Sequence, residues 1–378
     1  MDIYFDNAAS TGVREEAIEA MLRCMREDYG NPSSGHRMGS RAAANLSEAR
    51  KNIADALGTK PETICFTSGG TEANNWAVMG ACEPLARKGR HIITSAIEHS
   101  AVAEPVKKLE NKGWDITYLE PDRSGRIPAE AFSGALRDDT VFASVMLVNN
   151  ETGALNPVGE YAKAIKQRGL NTVLHTDAVQ GFCKIPFTVK SLGADLVAVS
   201  SHKLHGPKGA GALYINEGVR VDPLMIGGGH ESGRRAGTEP LPAAVGFGIA
   251  AKLGASELDE TFQAMHRLRD HIITELKRDI PDTMIIGEGD SPYILCLSLP
   301  GHKSEVLMNY LSGEGIYVSK SAACKKGARS RTLEAMKLQN AVIDGALRVS
   351  FSRCTTLEEA GRFMQVLKTA SQTLLKPL

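Results

Sequence analysis

The stretch Ala194-Asp-Leu-Val-Ala-Val-Ser-Ser-His-Lys-Leu-His-Gly-Pro-Lys-Gly-Ala-Gly211 constrains the chain most. Its apolar run, Leu196 to Val199, is too short for a helix and fits a buried strand. The run ends in Ser200, Ser201, His202 and Lys203, and glycines follow at 206, 209 and 211. A lysine delivered by a buried strand to a glycine-rich edge is partly desolvated. Its charged form is then disfavoured and its amine is more nucleophilic near neutral pH. Such an amine can condense with a carbonyl to a Schiff base. An isolated lysine after a strand is most often a surface residue, so the weight of this reading rests on the rest of the chain.

Glu62-Thr-Ile-Cys-Phe-Thr-Ser-Gly-Gly-Thr-Glu-Ala-Asn-Asn-Trp76 predicts a strand over Thr63 to Phe66, a tight loop over Thr67 to Thr71 and a helix from Glu72. A small-residue loop entering a helix presents free backbone N–H groups to an anion. The segment has neither a GK[ST] nor a GxGxxG pattern, and by itself it is equally a capped turn. Further strands are expected at His91 to Thr94, with Glu98-His99 beyond its end, at Val141 to Val148, ending in Asn149-Asn-Glu-Thr-Gly153, and at Thr172 to Thr176, ending in Asp177 with Gln180 just after. Helical patterns lie between these strands, including Arg14 to Asp28 and about Met38 to Leu57, stopped at Gly58. The expected architecture is α/β, doubly wound, with ligands beyond the carboxyl ends of a mostly parallel sheet. His99, Asn150, Asp177, Gln180 and Lys203 converge there with the phosphate-suited loop. A lysine amine, a carboxylate for a pyridinium nitrogen and a phosphate cradle are together what pyridoxal 5′-phosphate needs.

The chain has 378 residues, 42% of them hydrophobic, which is ample for one large domain and a smaller one. Formal net charge is zero, so composition gives no reason to expect direct nucleic-acid binding or a charged membrane surface. No apolar stretch approaches the roughly 20 residues of a membrane span. The opening Met1-Asp-Ile-Tyr-Phe-Asp6 lacks the basic and apolar regions of a secretory signal. Seven dispersed cysteines without CxxC spacing fit reduced cytoplasmic thiols rather than a disulfide framework or a metal site.

The order of these motifs resembles the class V aminotransferases, of pyridoxal-phosphate fold type I, and most closely the cysteine desulfurases of the NifS/IscS type. The matching stretches run almost the whole chain: Tyr4-Phe-Asp-Asn-Ala-Ala9, Gly30-Asn-Pro-Ser-Ser34, Phe66-Thr-Ser-Gly-Gly-Thr-Glu-Ala-Asn-Asn75, Glu98-His99, Asn149 to Gly153, His175-Thr-Asp-Ala-Val-Gln180, Ser200 to Gly209, Gly227-Gly-Gly-His-Glu231 and Arg348-Val-Ser-Phe-Ser-Arg-Cys-Thr-Thr356. The resemblance implies a homodimer. It implies a large cofactor domain over 14–255 and a small α+β domain from 1–13 and 256–378. It implies Lys203 as the Schiff-base lysine, Asp177 as the pyridinium partner, His99 as a stacking residue that also moves protons, and Gln180 at the ring hydroxyl. Gly70, Thr71, Ser200 and His202 match the phosphate ligands, and Thr238 matches the residue reaching the neighbouring subunit's phosphate. Asn150 and Arg353 match the substrate carboxylate site, and a planar guanidinium suits an α-carboxylate independently of the family.

The implied activity converts L-cysteine to L-alanine, with sulfur taken as a persulfide on Cys324 and passed to an acceptor protein for iron–sulfur cluster, thio-cofactor or tRNA biosynthesis. Cys324 lies in Val318-Ser-Lys-Ser-Ala-Ala-Cys-Lys-Lys-Gly-Ala-Arg-Ser-Arg331, where the surrounding lysines and arginines favour a thiolate. Cys65 and Cys296 are expected in the core, and Cys24 and Cys82 in helices. The family commonly has a glycine ahead of the catalytic thiol; here the segment lacks it and is unusually basic, which bears on loop mobility and acceptor choice. Two other readings stand beside this one. One is another enzyme of the same fold, a selenocysteine lyase, a C–S lyase or a transaminase. The other is a non-catalytic sulfur-transfer scaffold.

Overall fold

The computed structural model describes residues 2–321 and 329–374. Its centre is a seven-stranded sheet in the order Ile64–Thr67, Gly211–Ile215, Leu196–Ser200, Val173–Asp177, Thr140–Ser144, His91–Ser95 and Asp115–Leu119. Only Gly211–Ile215 runs antiparallel to its neighbours; the other pairings are parallel. The inner strands are buried along their whole length, which is why they are continuous apolar runs rather than alternating ones. Helices cover both faces. Gly70–Leu85 and Ser100–Glu110 pack on one side, around Trp76, Val102 and Leu109. Arg37–Leu57 and Leu241–Ser256 belong to the core on the other.

Most expected elements form within two residues of their expected limits. The first helix is Glu15–Glu27 and the second is Arg37–Leu57. Gly58 ends the latter at φ 69°, a left-handed cap that glycine adopts without a Cβ penalty. Two elements differ. The strand expected over Val141 to Val148 stops at Ser144, and Val145 to Val148 continue as buried loop toward Asn149. The helix expected from Glu72 begins at Gly70, so the loop before it is shorter and the free helix end lies nearer the sheet.

The later part of the chain forms a second sheet, Ser319–Lys320, Ala346–Ser350, Ile294–Ser298 and Met284–Ile286, all antiparallel. The amino-terminal strand Ile3–Tyr4 pairs in parallel with Ile316–Tyr317, so the two ends of the chain meet. Phe5 packs edge-on against Phe351 and Phe363 and fixes that junction. Thr356 caps the last helix, Leu357–Thr373, in a reciprocal capping box with Glu359. Cys65 and Cys296 are in the core, and Cys24 and Cys82 are buried in helices, as expected.

Candidate active site

The carboxyl ends of the parallel strands open into one cleft of ≈ 590 Å³. The Ser68–Glu72 turn, His99, Asn150, Asp177, Gln180, Ser200, His202 and Lys203 all line it, together with Ala8 to Ser10 from the amino terminus. Sheet topology causes this convergence. Each strand releases its next residues on the same edge of the sheet, so residues far apart in sequence share one rim.

Lys203 leaves the strand Leu196–Ser200 through a single 3₁₀ turn. Its Nζ donates to the carbonyl oxygens of Ala8 at 2.5 Å and Ala9 at 2.8 Å, neither of which is a charge. Burial pulls its pKa down to about 8, Arg348 pulls the same way, and Asp177 and Asp6 oppose. A large fraction of neutral amine is therefore present near physiological pH.

Asp177 is 5% exposed. Its Oδ2 accepts from Asn74 Nδ2 at 2.7 Å and its Oδ1 from the Val179 N–H at 3.0 Å. Burial raises its pKa, and the positive fields of His99 and Lys203 and the two hydrogen bonds counter this. A buried carboxylate with no salt-bridge partner is costly; a protonated ring nitrogen is the kind of partner that offsets the cost.

The Gly70–Leu85 helix has Gly69 at its N-cap and no side-chain cap, so its first N–H groups face the cleft. A Cβ on Gly70 would come within 2.7 Å of Val179 Cγ2 and 3.4 Å of Ser200 Cβ, so the cradle keeps its shape only with glycine there. Ser200 Oγ and Gln180 Oε1 are buried without any partner, while Gln180 Nε2 donates to Ala8 O at 2.8 Å. Buried polar atoms normally have partners. These two orphans face a cleft that also offers a helix N-terminus and an isolated carboxylate, and an aromatic, hydroxylated and phosphorylated group would satisfy all of them. The residues present fit pyridoxal phosphate.

His99 caps the Ser100–Glu110 helix, its Nδ1 accepting from the Ala101 N–H at 3.1 Å, and so its ring is fixed at the cleft wall. His202 Nδ1 stands 3.3 Å from Ser10 Oγ. Its pKa falls to about 4, chiefly through burial and then through Lys203, so it is a neutral hydrogen-bonding group. Asn150 lines the cleft, and its carbonyl accepts from Arg348 at 3.0 Å.

Two expected site residues lie elsewhere, and a third falls outside the described residues. Arg353 does not line this cleft but an adjoining one of ≈ 700 Å³, and its guanidinium is 3.8 Å from Glu257. Thr238 is exposed on a surface segment of the chain and takes no part in its own cleft. Cys324, with 322–328, lies outside the described residues. Of the two other cysteines near site segments, Cys354 is exposed in the Arg353 cleft. Cys183 is held with its thiol's pKa raised by burial.

Arg348, Asn74 and Glu98 are the residues that sequence reasoning left without a role. Arg348 is 2% exposed, reaches Asp6 at 2.8 Å and ties the amino terminus to the cleft wall. An arginine inside the apolar strand Ala346–Ser350 is itself a signal that a buried partner exists. Glu98 is buried, accepts from Ser95 Oγ at 2.5 Å and the Met146 N–H at 2.9 Å, and burial lifts its pKa to about 8. Among the described residues there is no cluster suited to hold a metal ion and no helix long and apolar enough to cross a membrane.

Fold and site together define a pyridoxal-phosphate enzyme with a lysine–aspartate pair at the edge of a mostly parallel sheet. Within that class the sequence is specific. The family model for class-V aminotransferases matches residues 3–363, and the chain belongs to that family. It is 40% identical over 376 residues to a cysteine desulfurase IscS of Methanosarcina thermophila, covering 98% of this chain and 92% of the relative. It is 39% identical over 377 residues to the cysteine desulfurase IscS of Dictyoglomus turgidum, covering 99% and 95%. A solved NifS-like protein superposes with a TM-score of 0.94 at 37% identity, covering 99% of this chain and all 100% of the other. A solved complex of SspA with cysteine superposes with a TM-score of 0.80 at 32% identity, covering 94% and 100%.

Proposed function

We propose that this protein is a cysteine desulfurase: it converts L-cysteine to L-alanine and hands the sulfur, held as a persulfide on Cys324, to an acceptor thiol. The observation that carries the reading is Lys203, with its depressed pKa, and the isolated Asp177 carboxylate facing one cleft. Near-full-length similarity to enzymes named cysteine desulfurase, and to a relative solved with cysteine, selects the substrate.

When bound, pyridoxal phosphate withdraws electrons from the substrate's α-carbon. The chain supplies the rest. With the cofactor bound, Lys203 Nζ would take the α-proton; its lowered pKa suits a base near neutral pH. Asp177 keeps the ring nitrogen protonated. Asn74 and the Val179 N–H aim its two oxygens. Gly70, Thr71, Ser200 and His202 would hold the phosphate, Gln180 Oε1 would accept from the ring hydroxyl, and His99 would cover the ring. Asn150 and Arg353 take the substrate carboxylate, which requires Arg353 to reach in from the adjoining cleft and leave Glu257. The Cys324 thiolate then attacks the substrate sulfur. An S–S bond forms, the C–S bond breaks with its electron pair going to carbon, and protonation of that carbon gives alanine. A second thiol removes the sulfur from Cys324.

The protein acts as a homodimer, with residues 14–255 as the cofactor domain and 1–13 with 256–378 as the small domain. Leu224 and Met225 are exposed and Ile226 is 94% exposed, close in sequence to Thr238, and an apolar surface of this kind is what a partner covers. Thr238 then reaches the partner's phosphate. The acceptor is a protein thiol, and the compartment is the cytoplasm.

The experiment is cysteine turnover and cofactor retention in Lys203→Ala. The wild type holds pyridoxal phosphate through gel filtration and releases alanine from L-cysteine. After borohydride reduction the wild type is expected to keep the cofactor covalently through denaturation and the variant to release it, and the variant is expected to fall at least about a thousandfold in rate. Turnover within about tenfold of wild type would overturn the role of Lys203.

A further inference from the structure

Behind Lys203 lies a second, much smaller space. A chamber of ≈ 30 Å³ is lined by Lys184, Lys203, Arg14, Arg353, Glu257 and Tyr293, among others. Lys184 is the unusual member of this set. It is 6% exposed, and among the described residues its ammonium has no carboxylate and no hydrogen-bond acceptor. Its one close partner is the Tyr293 ring, 5.8 Å from Nζ to centroid, near the outer limit for a cation–π contact.

The charges facing the chamber do not balance. From the amino-terminal segment comes Arg14, and from the turn after the Lys203 strand come Lys203 and His205. Arg353 comes from the end of the strand Ala346–Ser350, and Arg348 of that strand adds its field to Lys184. Against them stands Glu257, whose Oε1 is taken by Arg14 at 2.8 Å and whose Oε2 lies 3.8 Å from Arg353. Arg14 also pairs with Glu16. His205 is neutral, its pKa lowered to about 4 by burial, and its Nδ1 donates to Gly12 O at 2.9 Å. His202 is neutral likewise. The Cys183 thiol is kept protonated by burial. Every carboxylate of the set is engaged; Lys203 is held by the Ala8 and Ala9 carbonyls, and Lys184 is left with neither carboxylate nor carbonyl among the described residues.

An unpaired ammonium away from water is relieved either by losing its proton or by gaining a counter-ion. The chamber provides room for the second. A site needs ≳ 10–15 Å³ to admit one water-sized particle, so ≈ 30 Å³ has room for one single-atom anion.

We propose that the chamber beneath Lys203 is a binding site for one small monovalent anion, of the halide or hydrosulfide kind, held by Lys184 against the Tyr293 ring. Lys184 is its essential ligand, and Arg353 stands between it and the adjoining cleft. The site does not depend on the desulfurase reading; only occupancy by hydrosulfide, the reaction's reduced sulfur product, does. Burial lowers the Lys184 pKa to about 7, and a bound anion raises it, so binding takes up a proton and weakens as the pH rises.

The test uses crystals of the pyridoxal-phosphate-loaded protein soaked in bromide. Anomalous density beside Lys184 Nζ is expected in the wild type at about pH 6 and is expected to fade by about pH 9. In Lys184→Met, which keeps the length of the side chain, the peak is expected to vanish while the cofactor's absorbance is unchanged. A water in place of bromide in the wild type, or an undiminished peak in Lys184→Met, would overturn the site. A Lys184→Arg variant guards against misfolding of the methionine variant, since it restores the charge and is expected to restore the peak. Bromide displaced by added hydrosulfide identifies the sulfur product as an occupant; bromide that resists it identifies a halide site, and both outcomes support the anion site.

Discussion

Glu231 tethers the segment that carries Thr238, and its removal is expected to be among the most damaging changes outside the cleft. Its carboxylate is 2% exposed and makes three bonds. Oε2 accepts from Arg50 at 2.6 Å and from the Phe66 N–H at 2.9 Å, and Oε1 accepts from Arg50 at 2.7 Å. The residue itself is left-handed, at φ 51° and ψ 41°, a conformation that a non-glycine residue holds only under such restraint. Glu231→Ala strands the Arg50 charge, which costs about 3–5 kcal/mol when a buried pair loses one partner. It also orphans the Phe66 N–H, worth about 1–3 kcal/mol. Arg50 keeps its bond to Ile64 O at 2.7 Å and its place over the Phe66 ring, and its side chain is 19% exposed, so the lower ends of both ranges apply. The sum is about 4 kcal/mol. Urea unfolding at fixed protein and cofactor concentration measures it. The double variant Arg50→Met, Glu231→Met removes both charges and is expected to cost about 2 kcal/mol less than Glu231→Ala alone. A Glu231→Ala cost below about 1 kcal/mol, or a double variant worse than the sum of its parts, would refute the reasoning. Phe66 directly precedes the phosphate turn, so cofactor affinity is expected to fall in the same variants.

Three further outcomes are expected. The apoprotein should capture pyridoxal phosphate at a rate that rises with pH and levels off above about 8, where the Lys203 amine is neutral, and not near the ordinary lysine range; stopped-flow absorbance measures this. Glu98 binds its proton more tightly folded than unfolded, its pKa being raised to about 8, so its contribution to stability is lost as pH rises from the ordinary carboxylate range through about 8. Glu98→Gln, whose carbonyl can still accept from Ser95 and Met146, should abolish that part of the slope in unfolding curves taken across this window, whereas Glu98→Ala should lower stability by roughly 2–4 kcal/mol in the acid range, a loss that shrinks as the pH rises through about 8. Gly70→Ala should weaken pyridoxal phosphate binding about tenfold or more in an equilibrium titration, because the new methyl must displace Val179 from the cradle.

The legible part of the fold was its parallel core. Runs such as Leu196–Ser200 are apolar throughout because both faces are covered, and they carry their polar residues at one end, so strand and site were announced together. The antiparallel strand Gly211–Ile215 was not announced as such, since direction within a sheet leaves no mark on an apolar pentapeptide. The strand after Thr140 was read too long because Val145 to Val148 stay apolar while leaving the ladder; burial, not pairing, selects those residues. Asp177, Gln180, Ser200 and Lys203 were legible because each follows a strand. Asn74 was not, because it reaches Asp177 from within a helix, and only the packing of that helix reveals the contact. Lys184 sits in Phe182-Cys-Lys-Ile185, and nothing in that run shows what its ammonium faces. Arg353 and Asn150 line different cavities, a separation that placement at strand ends does not reveal.

The most direct test of the account measures alanine and sulfide released from L-cysteine, in the presence of a thiol reductant, by pyridoxal-phosphate-loaded wild type and Cys324→Ser. The account predicts equal amounts of alanine and sulfide from the wild type, and loss of both from the variant while its cofactor absorbance stays unchanged. Equal sulfide release by the two proteins would contradict it, for the sulfur would then leave the substrate without ever residing on Cys324.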